Sequence, residues 1–192
     1  LLAAVSATAQ IRPVESLPIA VNYSKTIHLI FPSAVKYSQA VTDFVAVDNP
    51  ENVPHILRIK ANSKSFSKQT TVSVATEGGF FYSFNVSYAD SLEQTNYFLP
   101  DMRSIAPDTV FINEVSQTHL IAPEKVIYID YGDTCINVSK AENTENIIRM
   151  IARSGRVQQF PKQTNVSFAT ESGRFFSFNV DYREKPEAFV YE

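Results

Sequence analysis

The segment Lys68-Gln69-Thr70-Thr71-Val72-Ser73-Val74-Ala75-Thr76-Glu77-Gly78-Gly79-Phe80-Phe81-Tyr82-Ser83-Phe84-Asn85-Val86-Ser87-Tyr88 returns later in the same chain. There it reads Lys162-Gln163-Thr164-Asn165-Val166-Ser167-Phe168-Ala169-Thr170-Glu171-Ser172-Gly173-Arg174-Phe175-Phe176-Ser177-Phe178-Asn179-Val180-Asp181-Tyr182. Fifteen of the 21 aligned positions are identical, which marks an internal duplication. Within each copy the period is two. Tyr82, Phe84, Val86 and Tyr88 share one parity, while Phe81, Ser83, Asn85 and Ser87 share the other, as in a strand with one buried face. Val72 and Val74 give the preceding strand, and the turn falls on Thr76 to Gly79 and on Thr170 to Gly173. Glycine there reaches positive φ without a Cβ clash, so each copy reads as a β-hairpin. Arg174 stands where Phe80 does, which puts that position at a sheet margin.

The repeat extends upstream. His28-Leu29-Ile30-Phe31-Pro32 parallels His119-Leu120-Ile121-Ala122-Pro123, and Leu57-Arg58-Ile59 faces Ile148-Arg149-Met150. The units run over 17–88 and 108–182, and 89–107, polar and punctuated by proline, reads as a linker whose Tyr97-Phe98-Leu99 could dock on a neighbouring sheet. Further strands are expected at 19–22, 26–31, 35–37, 44–47 and 56–61, with counterparts at 110–112, 118–121, 126–129, 135–138 and 147–152. Pro32 and Pro123 lack an amide donor and should end strands. Residues 142–152 also satisfy helical spacing through Ile147, Ile148 and Ile151. The expected fold is all-β: two tandem copies of a small β-sandwich or barrel-like domain, with about seven strands each.

Composition agrees with a folded domain. Among 192 residues, 44% are hydrophobic and 19% charged, with 14 Phe, 9 Tyr and no Trp. The net charge of -3 lacks the basic excess of a nucleic-acid-binding surface. Leu1 to Gln10 is apolar and ends in small residues at Ala7 and Ala9, the spacing signal peptidase accepts, so 1–9 reads as a residual signal peptide cleaved after Ala9. The expected location is therefore the periplasm or the outer-membrane periphery. No later stretch is apolar and long enough to span a bilayer.

Candidate chemistry is sparse. His28 and His119 occupy equivalent positions in apolar strands, without a nearby nucleophile, orienting carboxylate or set of metal ligands. They read as outward or hydrogen-bonded strand histidines. Cys135, the single cysteine, has Ile136 and Val138 at strand spacing and reads as a buried thiol. Gly173 to Phe178 loosely matches an aromatic-basic RNA-binding strand, but its rings share the parity of core residues. Lys68-Gln69 and Lys162-Gln163 read as solubilised strand starts. Phe81 and Phe175 lie on the Ser/Asn-bearing face in both copies and are the interaction candidates, unless a second layer or loop covers them. No catalytic residue, cofactor site or metal site is expected.

Ser24 to Tyr37, Glu51-Asn52-Val53 with Leu57 to Ala61, and Thr71 to Thr76 leading to Phe81 to Val86 together resemble the TraN proteins of Bacteroidetes conjugative transposons. The resemblance covers most of the first repeat and, through duplication, part of the second. It implies an exported, non-catalytic structural subunit of a mating pore, analogous to outer-membrane core subunits of type IV secretion systems. Its implied partners are other mating-pore proteins and further copies of the chain, with no direct contact to nucleic acid. Members of that family usually continue beyond the position matching Glu192, so the resemblance implies either a truncated member or a related stand-alone protein. The alternative from the residues is a periplasmic or cell-surface module binding glycan or peptide.

Overall fold

The computed structural model describes residues 13–192; the expected signal segment 1–9 lies outside them. The first repeat contains β1 (Ser16–Val21), β2 (Ile27–Ile30), β3 (Val35–Ala40), β4 (Val45–Asp48), β5 (Ile56–Ala61), β6 (Thr70–Thr76), β7 (Phe81–Tyr88) and β8 (Asn96–Phe98). The second contains β9 (Asp108–Ile112), β10 (Thr118–Ile121), β11 (Val126–Tyr131), β12 (Ile136–Lys140), β13 (Ile147–Ala152), β14 (Thr164–Thr170), β15 (Phe175–Tyr182) and β16 (Val190–Tyr191).

Each repeat is a sandwich of two four-stranded sheets. In the first, β1-β7-β6-β3 packs on β4-β5-β2-β8; in the second, β9-β15-β14-β11 packs on β12-β13-β10-β16. The hairpins β6–β7 and β14–β15 form as the alternation requires, and Gly79 and Gly173 take φ values of 80° and 81° in their turns. Strands β2 and β10 end before Pro32 and Pro123. Residues 147–152 are strand rather than helix, because β13 lies between β12 and β10 and buries alternate residues.

The linker segment is structured in part. Asn96–Phe98 adds a parallel strand beside β2, and Val190–Tyr191 does the same beside β10. A three-residue strand and a two-residue strand fall below the length at which periodicity is readable. Among the described residues each sandwich thus has eight strands instead of about seven.

Both cores follow the parity of the hairpins. Val72, Val74, Phe84 and Val86 meet Ile27, Leu29, Leu57 and Ile59 in the first core. Val166, Phe168 and Val180 meet Leu120, Ile136, Ile148 and Met150 in the second. Phe176 and Phe178 pack on that core but stay partly exposed, unlike Tyr82 and Phe84. Truncating Phe84 to Ala should therefore cost about 3–5 kcal/mol. The equivalent Phe178→Ala should cost less, roughly 1–2 kcal/mol, since it removes less burial. Urea denaturation of the two variants measures the difference.

Candidate functional site

The two sandwiches meet face to face. The outer face of β4-β5-β2-β8 receives the outer face of β11-β14-β15-β9, which buries the central strands β2 and β14 and leaves Arg58 and Lys60 of β5 and the outward residues of β15 half-buried. Strand β14 is buried at all seven positions, whereas its counterpart β6 alternates buried and half-buried. Strand β2 is buried at all four positions, whereas its counterpart β10 alternates.

An apolar patch fills the middle of this junction. Ile30, Val53 and Ile56 pack with Tyr128 and Ala169, flanked by Phe98, Ile127 and Phe175. His28 points outward from its own sandwich but is fully buried here. Its ring lies 5.0 Å from that of Phe175, and Nε2 shares a 3.0 Å hydrogen bond with the Tyr128 hydroxyl. Asp130 Oδ2 stands 3.6 Å away, while Asp130 Oδ1 accepts a 2.6 Å bond from Arg58. Arg58 also pairs with Asp48, so two carboxylates hold the guanidinium. Burial, only partly offset by Asp130, lowers the His28 pKa to about 4 and keeps the ring neutral.

Polar clasps close the rim. Asn165 treats Thr26 as a strand neighbour: its Oδ1 accepts from the Thr26 amide at 3.0 Å and its Nδ2 donates to the Thr26 carbonyl at 2.9 Å. The Thr164 hydroxyl donates to the Ser24 carbonyl at 2.7 Å. Lys25 Nζ donates to the Leu92 carbonyl, Gln163 Oε1 and Asn179 Oδ1 at 3.0, 2.5 and 2.9 Å, filling its three donor positions. Burial lowers the Lys25 pKa, against the pull of Asp181. Lys60 donates to the Gly132 carbonyl. A Cβ on Gly132 would strike the Ser24 carbonyl and Asn165 and come within 2.8 Å of Lys25 Cα. Only glycine allows the backbones this close.

The two interaction candidates separate here. Phe175 lies in the junction against His28, half-buried by the neighbouring sandwich, whereas Phe81 remains 51% exposed on the equivalent face of the first repeat. The duplicated histidines part in the same way, since His119 is half-exposed. Gln163, read as a strand start, is a junction acceptor. Cys135 is buried, and burial together with Asp133 pushes its thiol up to about 12, unreactive at neutral pH. The pairing of residues across the junction escaped the sequence reading. The residues concerned differ between the copies, Lys25 against Ser116, Lys60 against Ile151, Asp130 against Gln39 and Gly132 against Val41, but they lie where the two copies diverge at most positions, so the difference alone does not mark them.

A cleft of about 590 Å³ opens beside the junction, lined in part by Tyr23, Lys64, Tyr88, Asp90, Asp133 and Arg156. Among the described residues no group of three His, Cys, Asp or Glu side chains is placed to hold a metal ion. No helix among them is long and apolar enough to cross a membrane.

The fold and junction define a protein of two tandem β-sandwiches packed face to face. The chain belongs to the DUF8473 family, a domain of unknown function, which matches it twice, at residues 19–92 and 110–186. None of the curated proteins compared with it matches. Among solved structures it is similar to a titin Ig tandem-domain pair, at 10% identity and TM-score 0.26 over 89% of this chain and 95% of that one. An endo-fucoidan hydrolase of glycoside hydrolase family 107 gives 7% identity and TM-score 0.28 over 88% of this chain and 28% of that one. SGBP-B of the Bacteroides ovatus mixed-linkage glucan utilization locus, in complex with a heptasaccharide, gives 10% and 0.25 over 94% and 46%. TM-scores this low lend no weight to any functional comparison.

Two measurements probe the junction. In Gly132→Val the faces should part, and the Thr26 amide should exchange with deuterium about tenfold faster or more while the β6–β7 hairpin stays protected. Stability should also fall as pH drops from 6.5 toward 4, because the unfolded His28 takes up a proton in that window and the folded one does not. With Tyr128, Asp130 and Arg58 still in place, His28→Gln should flatten this part of the profile. The slope of denaturation midpoint against pH is the readout.

Proposed function

We propose that this chain is a non-catalytic, exported assembly subunit that works through protein–protein contacts. The observation that carries this reading is the outer face of β1-β7-β6-β3. In the second repeat the same face is an interface; in the first it lies open among the described residues, with Tyr37 and Phe81 on it and Phe80 and Val41 at its margins. Those four side chains are 47%, 51%, 59% and 70% exposed, an apolar surface of the kind partners cover.

The finer assignment is a component of a conjugative transfer apparatus of the type IV secretion kind, at the periplasmic or outer-membrane side. It draws its support from the TraN-like residues of the first repeat. Deleting the gene should lower transfer frequency, and the wild-type gene should restore it. Phe81→Glu, with unchanged melting temperature, should restore it poorly. Transfer that continues at the wild-type rate in the deletion strain overturns the conjugative assignment.

The cleft beside the junction favours a second reading, a surface module for glycan or peptide. Its volume falls within the range of small-molecule sites, and Tyr23 and Tyr88 stand among Asp90, Asp133 and Arg156. Binding on a glycan array that Tyr88→Ala abolishes would establish it.

A further inference from the structure

Among the described residues the junction between the repeats uses one face of each sandwich and leaves the other two open. The open pair consists of the same two kinds of face: the β1-β7-β6-β3 face of repeat 1 matches the docking face of repeat 2, and the β12-β13-β10-β16 face of repeat 2 matches the receiving face of repeat 1. We propose that these faces join copies of this chain head to tail, the docking face of one copy seated on the receiving face of the next.

Continuity with the existing junction carries the inference. The pairings His28–Arg58 and His119–Arg149 across the receiving strands, and Tyr128–Ala169 and Tyr37–Ala75 across the docking strands, fix the correspondence residue by residue. His28 meets Tyr128 and Phe175 within the chain; between copies, His119 meets Tyr37 and Phe81. Ile30 and Ile56 pack on Tyr128 and Ala169; between copies, half-exposed Ile121 and Ile147 pack on Tyr37 and Ala75.

The polar contacts differ between the two junctions. Arg58 and Asp130 become Arg149 and Gln39, a guanidinium facing a neutral acceptor. Lys60, the donor to the Gly132 carbonyl, becomes Ile151, and Gly132 becomes Val41, so the ammonium is lost and two apolar side chains stand at this corner. Val41 forbids the close approach that Gly132 allows, so the second contact is wider at that corner, where exposed Val115 also stands. It also lacks the Asn165 clasp, since Thr71 occupies that position. A weaker contact without a tether is the consequence, formed at high concentration rather than at low. Because its two faces differ, it is heterologous and can propagate.

The inference deepens the protein-contact reading above by naming the partner as a second copy. Sedimentation velocity of the full chain from about 10 μM to about 1 mM spans the affinities expected of an untethered contact of this kind. Wild type should grow in mass with concentration. Phe81→Glu on the docking face and Ile147→Glu on the receiving face should each stay monomeric. An equimolar mixture of the two should give a 1:1 dimer and nothing larger, because one intact face of each kind remains. Melting curves confirm that both variants fold; Arg149→Glu replaces Ile147→Glu if the latter melts early. A wild type that stays monomeric throughout, variants that associate like wild type, or a mixture that yields no dimer each overturns the proposal. A monomeric wild type whose Phe81→Glu variant still fails in transfer would leave the protein-contact reading standing and reject self-docking alone.

Discussion

The arrangement of the two sandwiches depends on burying the outer face of one sheet against the outer face of another. A sheet in a small sandwich ordinarily shows one side to its own core and the other to water. Here β2 and β14 are covered on both sides, and the second covering comes from the neighbouring repeat. The apolar centre around Ile30, Ile56 and Tyr128 supplies the non-directional attraction, while Asn165, Lys25 and Lys60 determine how the faces are set. Every one of these polar groups reaches an acceptor or donor on the other repeat, which offsets the cost of removing it from water.

His28 shows how the same residue type takes different roles in a duplicated fold. Its position in the strand aims it away from its own core, and only the second sandwich makes that direction an interior one. Neutral, it fits between the Tyr128 hydroxyl and the Phe175 ring; protonated, it would place a buried cation near the half-buried Arg58 guanidinium. His119, at the same position without a neighbour over it, stays half-exposed.

The strand content and the core were legible because alternation is strong where one face meets water: Val72, Val74, Phe84 and Val86 announce their side directly. Duplication made the second sandwich legible from the first. The junction was hidden for the same physical reason. Residues such as Asn165 and Asn179 are polar and carry no sign in the sequence of being covered, yet their polarity is satisfied across the contact by Thr26 and Lys25, while Ser167, buried beside them, bonds Ser177 in its own sheet. Strands β8 and β16 carry too few residues for a period to show, and their existence depends on the edges of β2 and β10. Phe81 and Phe175 were correctly placed on one face, but nothing in the near-identical hairpins says which of them is covered.

Strand β8 also bears on where one unit stops. The family match to the first repeat closes at residue 92, yet Asn96–Phe98 completes the sheet and Phe98 reaches the apolar centre of the junction. A fragment cut where similarity ends would therefore bare the hydrogen-bonding margin of β2, the kind of unprotected rim that recruits stray strands and precipitates. Gene fragments meant to yield a soluble single unit should run past this segment, and the modular boundary in space lies several residues beyond the one visible by homology.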